Sequence, residues 1–378
     1  MSKDKIGISV LLFRWGGGYV RRKIQLVHKY EDIISLENLC LAWEEFIIGK
    51  KKKQDVLDFS RSLMDNIVEL HEQLVNGTYK HGGYESFYIN DPKRRHIHKA
   101  SVRDRLLHHA VYRILYPFFD RTFIADSFSC RDNKGSHKAI NRFRKLSYQL
   151  SKNHTRTCWV LKCDIKKFFA SIDHDVLLSI LYEYIPDQNI LWLLKNIVES
   201  FETMRPYTPL SISPLKGERG RCVGLPLGNL TSQLFANVYM NKFDQWVKHR
   251  LYSETKTPQR GVSTPYVRYA DDFVFLSHDK KRLEKTVPRI QEFLQTELKL
   301  SLHPEKLFLK TTASGIDFLG WVHFPNHRML RTKTKQRMFK RIKDNPSEET
   351  LQSYLGLLGH GNTAKLQKDV KAEYWLWL

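Results

Sequence analysis

Two adjacent aspartates, Asp271 and Asp272, interrupt the apolar run YVRYADDFVFLSH (266–278), and a third, Asp164, closes the run TCWVLKCD (157–164). Like charges this close repel, and burying them unpaired is costly. Three acidic oxygen donors with no histidine or cysteine among them select hard divalent cations, chiefly Mg2+, with Mn2+ as a substitute. Two such ions serve an in-line phosphoryl displacement, one activating the attacking hydroxyl and the other steadying the leaving oxygen. The plainer alternative is a pair of turn aspartates capping a ribbon. A second acidic strand and a strongly basic chain favour the metal reading.

The elements around these residues decide whether the carboxylates can meet. Residues 157–169 read as a strand, with Trp159, Leu161 and Cys163 on one face and Val160, Lys162 and Asp164 on the other. TPYVRYA runs into a hairpin turn at the aspartates and FVFLSH runs out of it. If these strands are neighbours in one sheet, the three carboxylates converge. Elsewhere, residues 36–77 read as helical, with Val56, Phe59, Leu63, Ile67, Leu70 and Leu74 at helical spacing and Gly77 as a C-cap. YESFYINDPKRRHIHK (84–99) reads as a hairpin turning at Asp91-Pro92. Ser101 and Asp104 form a capping signal before the helix RLLHHAVYRILYPFF (105–119). Further helices are expected after Asp173, over 230–251 and over 280–297, with strands at 303–310 and 316–323. Residues 201–223 read as a loop excursion, 1–35 as a loosely ordered arm, and 331–378 as basic and mostly helical. The interleaving suggests an α+β, palm-like core flanked by helical pieces.

Composition narrows the partners. The 378 residues carry a formal net charge of +22, which predicts a polyanion. Eight Trp, 17 Tyr and 21 Phe exclude a disordered chain. The five cysteines are odd in number and form no C-x-x-C, which argues against a disulfide framework or zinc ribbon and fits a reducing cytoplasm. The first apolar run, ISVLLF, is too short for a signal peptide or a membrane span, so no membrane partner is expected.

Tyr269-Ala270-Asp271-Asp272 resembles the Y-x-D-D box of reverse transcriptases, and DIKKFFASIDH (164–174) resembles their first aspartate motif. KRRHIHKASVRDR (93–105), SFSCRDNKGSHKAI (127–140), GLPLGNLTSQ (224–233), LSLHPEKLFL (300–309) and GIDFLGW (315–321) stand in the family's order. Such an ordered set is far more specific than any one member. Within this group II intron-like superfamily, intron-type and retroviral enzymes usually carry a glutamine before the glycine of the fourth segment and Ser-Pro at its end. This chain has Leu227 and Ser232-Gln233 instead. That pattern resembles the reverse transcriptases of diversity-generating retroelements, which copy a template RNA into cDNA with errors concentrated at adenines. They typically work with a small basic accessory protein.

The resemblance implies an RNA-directed DNA polymerase that takes template RNA and dNTPs, makes cDNA and uses two Mg2+ ions. A related enzyme of antiphage defence working with a noncoding RNA is the alternative. A non-catalytic RNA-binding scaffold is disfavoured by the intact carboxylates. The implied fold is α+β, a right-hand polymerase with fingers and palm of antiparallel sheet plus helices and a helical thumb. Its expected parts are an arm (1–35), fingers with N-terminal helices (36–155), a palm with the loop excursion (156–325) and a basic thumb (326–378). With no evident maturase, endonuclease or RNase H-like motif, a minimal polymerase dependent on partners is expected.

By resemblance, Asp164 and Asp271 carry most of the ion binding, Asp272 stands beside them and the carbonyl of Ile165 adds a ligand. Phe169 matches a steric gate whose ring would clash with a ribose 2′-hydroxyl; core packing beside Phe168 is its alternative. Lys306 matches a late-palm lysine proposed as proton donor to pyrophosphate. Lys93, Arg94 and Arg95 suit a triphosphate clamp. Gly224 and Gly228 would let backbone approach nucleotide and template, and Leu227 offers shape where glutamine would offer hydrogen bonds. Arg103 and Arg105 suit either RNA backbone contact or a structural ion pair, and Arg131 and Lys134 suit template contact. In RTKTKQRMFKRIK (331–343), Arg331, Lys333, Lys335, Arg337, Lys340 and Arg341 would form a basic stripe gripping the template–primer backbone, or simply a solvated helix face.

Overall fold

The computed structural model describes residues 24–90, 94–201, 203–204, 222–251 and 265–378. Helices α1 (Tyr30–Ile34), α2 (Leu36–Phe46), α3 (Gln54–Arg61) and α4 (Leu63–Val75) precede a hairpin of β1 (Tyr84–Ile89) and β2 (Arg95–Ala100). Helices α5 (Val102–Asp120) and α6 (Ser136–Leu150) lead to β3 (Trp159–Asp164), then α7 (Phe168–Ser171), α8 (His174–Tyr184) and α9 (Gln188–Glu199). The short strands β4 (Thr203–Met204) and β5 (Cys222–Val223) pair before α10 (Leu230–His249), and the hairpin of β6 (Tyr266–Tyr269) and β7 (Asp272–Ser277) is followed by α11 (Lys280–Glu297). The chain closes with β8 (Phe308–Thr311), β9 (Ile316–Phe318), β10 (Trp321–His323), β11 (Arg328–Leu330) and helices α12 (Thr332–Asp344), α13 (Glu348–Leu358) and α14 (Ala364–Trp377).

The fold is the expected mixture of helix and sheet, and the chain divides into two compact units. The first comprises Met1–Ile124, Lys166–Asp244 and Phe293–Ser301. Its helices pack through apolar stripes, with Leu39, Phe46, Leu106, Leu107 and Val111 almost fully buried. Ser101 caps α5 as its sequence signal predicts, its hydroxyl accepting from the Asp104 amide at 3.1 Å. Asp104 is fully buried and receives the Tyr79 hydroxyl at 2.9 Å, the Ser101 hydroxyl at 2.7 Å and the Gly82 amide at 3.0 Å, which fixes the approach to β1.

The second unit comprises Ala125–Ile165, Gln245–Glu292 and Leu302–Leu378. Its centre is an antiparallel sheet in the order β6-β7-β3-β8. One continuous core joins this sheet to α6 and to the C-terminal helices through Phe143, Val160, Val274, Phe318, Trp321, Met338, Ile342 and Leu358. At Gly361 a Cβ would lie 2.0 Å from the Trp321 ring, so only glycine admits that close approach.

Several boundaries differ from the sequence reading for local reasons. The stretch 36–77 breaks into three helices at Gly49, which takes a φ of +72°, and at Ser62. The strand expected over 157–169 stops at Asp164, because Lys167 turns left-handed with φ +49° and starts α7. Pro304 opens a 3-10 turn over Pro304–Lys306, which shortens the strand expected at 303–310 to β8. The run 316–323 folds into β9 and β10 through Leu319 and Gly320, both at positive φ. Residues 24–35 are ordered rather than loose. Leu26 is buried and its amide donates to the Tyr184 carbonyl at 2.8 Å, and α1 follows at once. The remainder of the arm, the Asp91-Pro92 turn and most of the 201–223 excursion lie outside the described residues.

Candidate active site

Strands β3 and β7 are direct neighbours, and Asp164 and Asp272 are partners in their register. Paired residues in an antiparallel ladder point to the same face, so two carboxylates from distant segments meet at one end of the sheet. Asp271 occupies the two-residue turn between β6 and β7 with Ala270, whose φ is +55°. The Ile165 amide donates to the Asp271 carbonyl at 3.3 Å, tying the end of β3 to that turn. The side chain of Ile165 is buried, so only its backbone faces the site.

Two lysines neutralise the pair. Lys306 Nζ lies 2.7 Å from Asp164 Oδ1. The 3-10 turn that carries it is anchored by the His303 amide, which donates to the Asp164 carbonyl at 2.8 Å. Lys162, alternating onto the same face as Asp164, is 8% exposed; its ammonium lies 3.1 Å from Asp272 Oδ2 and 2.8 Å from the Asp317 carbonyl. Even so, burial pushes the Asp272 carboxyl up to about 6, opposed by Lys162 and reinforced by Asp164 and Asp271.

Among the described residues no group of three His, Cys, Asp or Glu side chains forms a ready-made metal cage. The donor chemistry nevertheless fits a hard cation. The Asp272 Oδ1 atom is buried without a hydrogen-bond partner among the described residues, and Asp164 is its register neighbour. Cys163 points to the opposite face of β3, and burial raises its thiol pKa, so it stays protonated and offers no competing soft ligand.

Sequence reasoning passed over two basic side chains that shape this site. It placed Lys162 on the right face without a role; the signal is a lysine two residues before Asp164 in an otherwise apolar strand. Arg268 is fully buried in β6, where its guanidinium donates to the Ala270 carbonyl at 3.0 Å and the Ser127 hydroxyl at 2.9 Å. It props the aspartate turn from behind, and its signal is a lone charge within YVRYA.

The other candidates in the second unit are mostly engaged by their own chain. Arg131 donates to the Ser127 carbonyl at 3.0 Å and Lys134 to the Ala125 carbonyl at 2.8 Å. Arg331 pairs with Asp317 ahead of α12. Along α12, Met338 and Ile342 are buried while Lys333, Lys335, Lys340 and Arg341 are exposed and Arg337 is half-buried, so the basic stripe is present.

The first unit assembles a second group. The Leu225 amide donates to the Phe169 carbonyl at 2.8 Å, and the His98 amide to the Leu227 carbonyl at 2.9 Å. Buried His174 donates through Nε2 to the Gly224 carbonyl at 2.7 Å and so holds that glycine in place. Gly228 has φ +119°, and a Cβ there would stand 2.9 Å from Ile97. The 224–229 segment is thereby laid against β2, the strand that begins at Arg95. Arg94 stacks over the Tyr88 ring at 4.1 Å. Arg103 bonds the Lys80 carbonyl and Asp104, and Arg105 pairs with Asp55 at 2.5 Å, so both guanidiniums serve structural ion pairs here. Lys93 lies outside the described residues.

Residues 85–323 match the reverse transcriptase (RNA-dependent DNA polymerase) family, and the chain belongs to that family. It is an RNA-directed DNA polymerase, with an RNA template and nucleotides as substrates. It is 25% identical to the protein YkfC of Escherichia coli over 74% of this chain and 75% of that one. It is 22% identical to the group II intron-encoded protein LtrA of Lactococcus lactis, over 73% of this chain and 52% of LtrA. An apo telomerase of Candida tropicalis, truncated of its C-terminal domain, superposes with a TM-score of 0.46 at 12% identity over 71% of this chain and 60% of the other. Among the described residues no helix is long and apolar enough to cross a membrane.

Proposed function

We propose that Asp164, Asp271 and Asp272, with the Ile165 carbonyl, hold two Mg2+ ions, or Mn2+ in their place, for nucleotidyl transfer. The observation that carries this reading is the Asp164–Asp272 register pair with an open, buried Oδ1 on Asp272. When bound, the ions would activate the primer 3′-hydroxyl and neutralise the triphosphate. The primer oxygen forms a bond to the α-phosphorus, the α–β bond breaks and pyrophosphate leaves. Lys306, 2.7 Å from Asp164, would donate a proton to the departing pyrophosphate. Lys162 stays on Asp272 and the Asp317 carbonyl and keeps the carboxylate aimed. Phe169 excludes the ribose 2′-hydroxyl, and Lys93, Arg94 and Arg95 clamp the triphosphate. The α12 stripe, as part of a thumb, grips the template–primer backbone.

On this reading the enzyme is the error-prone polymerase of a diversity-generating retroelement, miscopying template adenines and working with a small basic accessory protein. Leu227 supports it. Its side chain offers shape without hydrogen bonds, on a backbone held by the His98 amide at 2.9 Å. Losing one hydrogen bond relaxes discrimination by roughly 0.5–1.5 kcal/mol. The test is cDNA synthesis on the native RNA with sequencing of the product. Wild type should misincorporate opposite adenine, Leu227→Gln should do so less, and Asp271→Ala should make no cDNA. Extension surviving Asp271→Ala would remove the carboxylate mechanism. An error spectrum without adenine bias in wild type would favour the defence alternative.

A further inference from the structure

One face of α6 presents Asn141, Arg144, Lys145 and Tyr148, at the spacing that aligns side chains on a helix. Together with His154 and the Pro325–Asn326 turn these residues line a concavity of about 470 Å3 within the second unit. None of the lining side chains is acidic. Arg144, Lys145 and Tyr148 are exposed, and neither Arg144 nor Lys145 has an ion pair among the described residues. The Arg144 charge also bears on Arg328 behind it, whose pKa is lowered first by burial and then by Arg144. Positive charge is gathered here rather than balanced.

The wall carrying His154 is strained. Lys152, Asn153 and His154 have φ of 47°, 58° and 66°, three successive left-handed residues where side-chain-bearing residues normally enter singly. The turn is fixed by the Asn153 amide on the Tyr148 carbonyl at 3.1 Å and the His154 amide on the Ser151 hydroxyl at 3.0 Å. It brings the imidazole edge-on to the Tyr148 ring, 5.2 Å between centroids. Strain of this kind gathers at ligand clamps.

We propose that this concavity docks a single-stranded stretch of the RNA away from the carboxylate site, with phosphates on Arg144 and Lys145 and a base stacked on Tyr148. Cations beside an exposed aromatic ring are the chemistry that binds unpaired nucleotides, and the volume lies in the range of sites for one small ligand unit. The proposal rests on the chain acting on an RNA template, and its test separates the two. A single-stranded RNA carrying 5-iodouridine is photocrosslinked to the wild-type protein and the attached peptide identified. Its affinity is then measured over a salt series for wild type, for Arg144→Glu/Lys145→Glu and for Tyr148→Ser.

Crosslinks on Tyr148 or His154 are expected. The double variant should bind more weakly, with a salt slope lower by about 1.4, some 0.7 for each lost phosphate contact. Tyr148→Ser should lose about tenfold in affinity. Extension of a short pre-annealed primer–template should stay at the wild-type level in all variants. Crosslinks confined to other segments overturn the proposal, whatever the variants do. So does an unchanged affinity and slope, or competition for the pocket by an acidic peptide but not by RNA. Wild-type protein without primer extension would instead refute the polymerase reading.

Discussion

Asp272 carries the largest electrostatic burden of the carboxylate site, and removing its charge gives the sharpest test. Its carboxyl moves from 3.8 up to about 6 on folding, chiefly by burial. Below the lower value both folded and unfolded chains hold the proton. Between the two values the unfolded chain has released it and the folded chain keeps it, so native stability falls as pH rises. Above about 6 the loss is complete. A shift of about two units is worth roughly 3 kcal/mol, an upper figure because 21% of the side chain stays accessible. Asp272→Asn keeps the shape and removes the ionisation. In chelator at neutral pH the variant should melt higher than wild type, and its pH limb between about 4 and 6 should flatten. Added Mg2+ should raise the melting temperature of wild type by mass action and that of the variant by less, since Asp164 and Asp271 remain. The assay is thermal unfolding by circular dichroism across pH, with and without Mg2+. A variant that melts lower than wild type in chelator at neutral pH, with the limb unchanged, would refute the reasoning.

Lys162→Met removes the buried ammonium between Asp272 and the Asp317 carbonyl. It should cost about 3 kcal/mol in chelator, with part of the loss restored by Mg2+; urea unfolding in both conditions checks this. Arg268→Lys cannot reach both the Ala270 carbonyl and the Ser127 hydroxyl. It should lose about 2 kcal/mol of stability and slow primer extension more than it weakens template binding, a split that steady-state kinetics reads. Gly228→Ala must accept φ +119° and a Cβ 2.9 Å from Ile97. A loss of about 1–3 kcal/mol with a raised KM for dNTPs is expected, and wild-type kinetics would show that the 224–229 segment does not shape the nucleotide site.

Much of this protein was legible along the chain because the signals are local. Alternation in TCWVLKCD assigned Asp164 its face, the Ser101–Asp104 signal located the start of α5, and the run of cations over 331–343 read as a basic helix. Other features were hidden because they depend on single backbone angles or on distant partners. Nothing in DIKKFF announces that Lys167 turns left-handed and ends the strand, and nothing in KASVRDR says that Arg103 and Arg105 are taken by Asp104 and Asp55. The sequence by itself determined the residue types and their order: three carboxylates, the motif series and an excess of cations. Only the tertiary structure decided that Asp164 and Asp272 share a register position and that Lys162 and Lys306 neutralise them. Only it gathered Arg144, Lys145 and Tyr148 with a strained histidine turn. The physical reason is range. Side-chain direction follows from the neighbours of a residue, whereas the charge it meets is set by whichever strand lies next to it, across more than a hundred residues of chain.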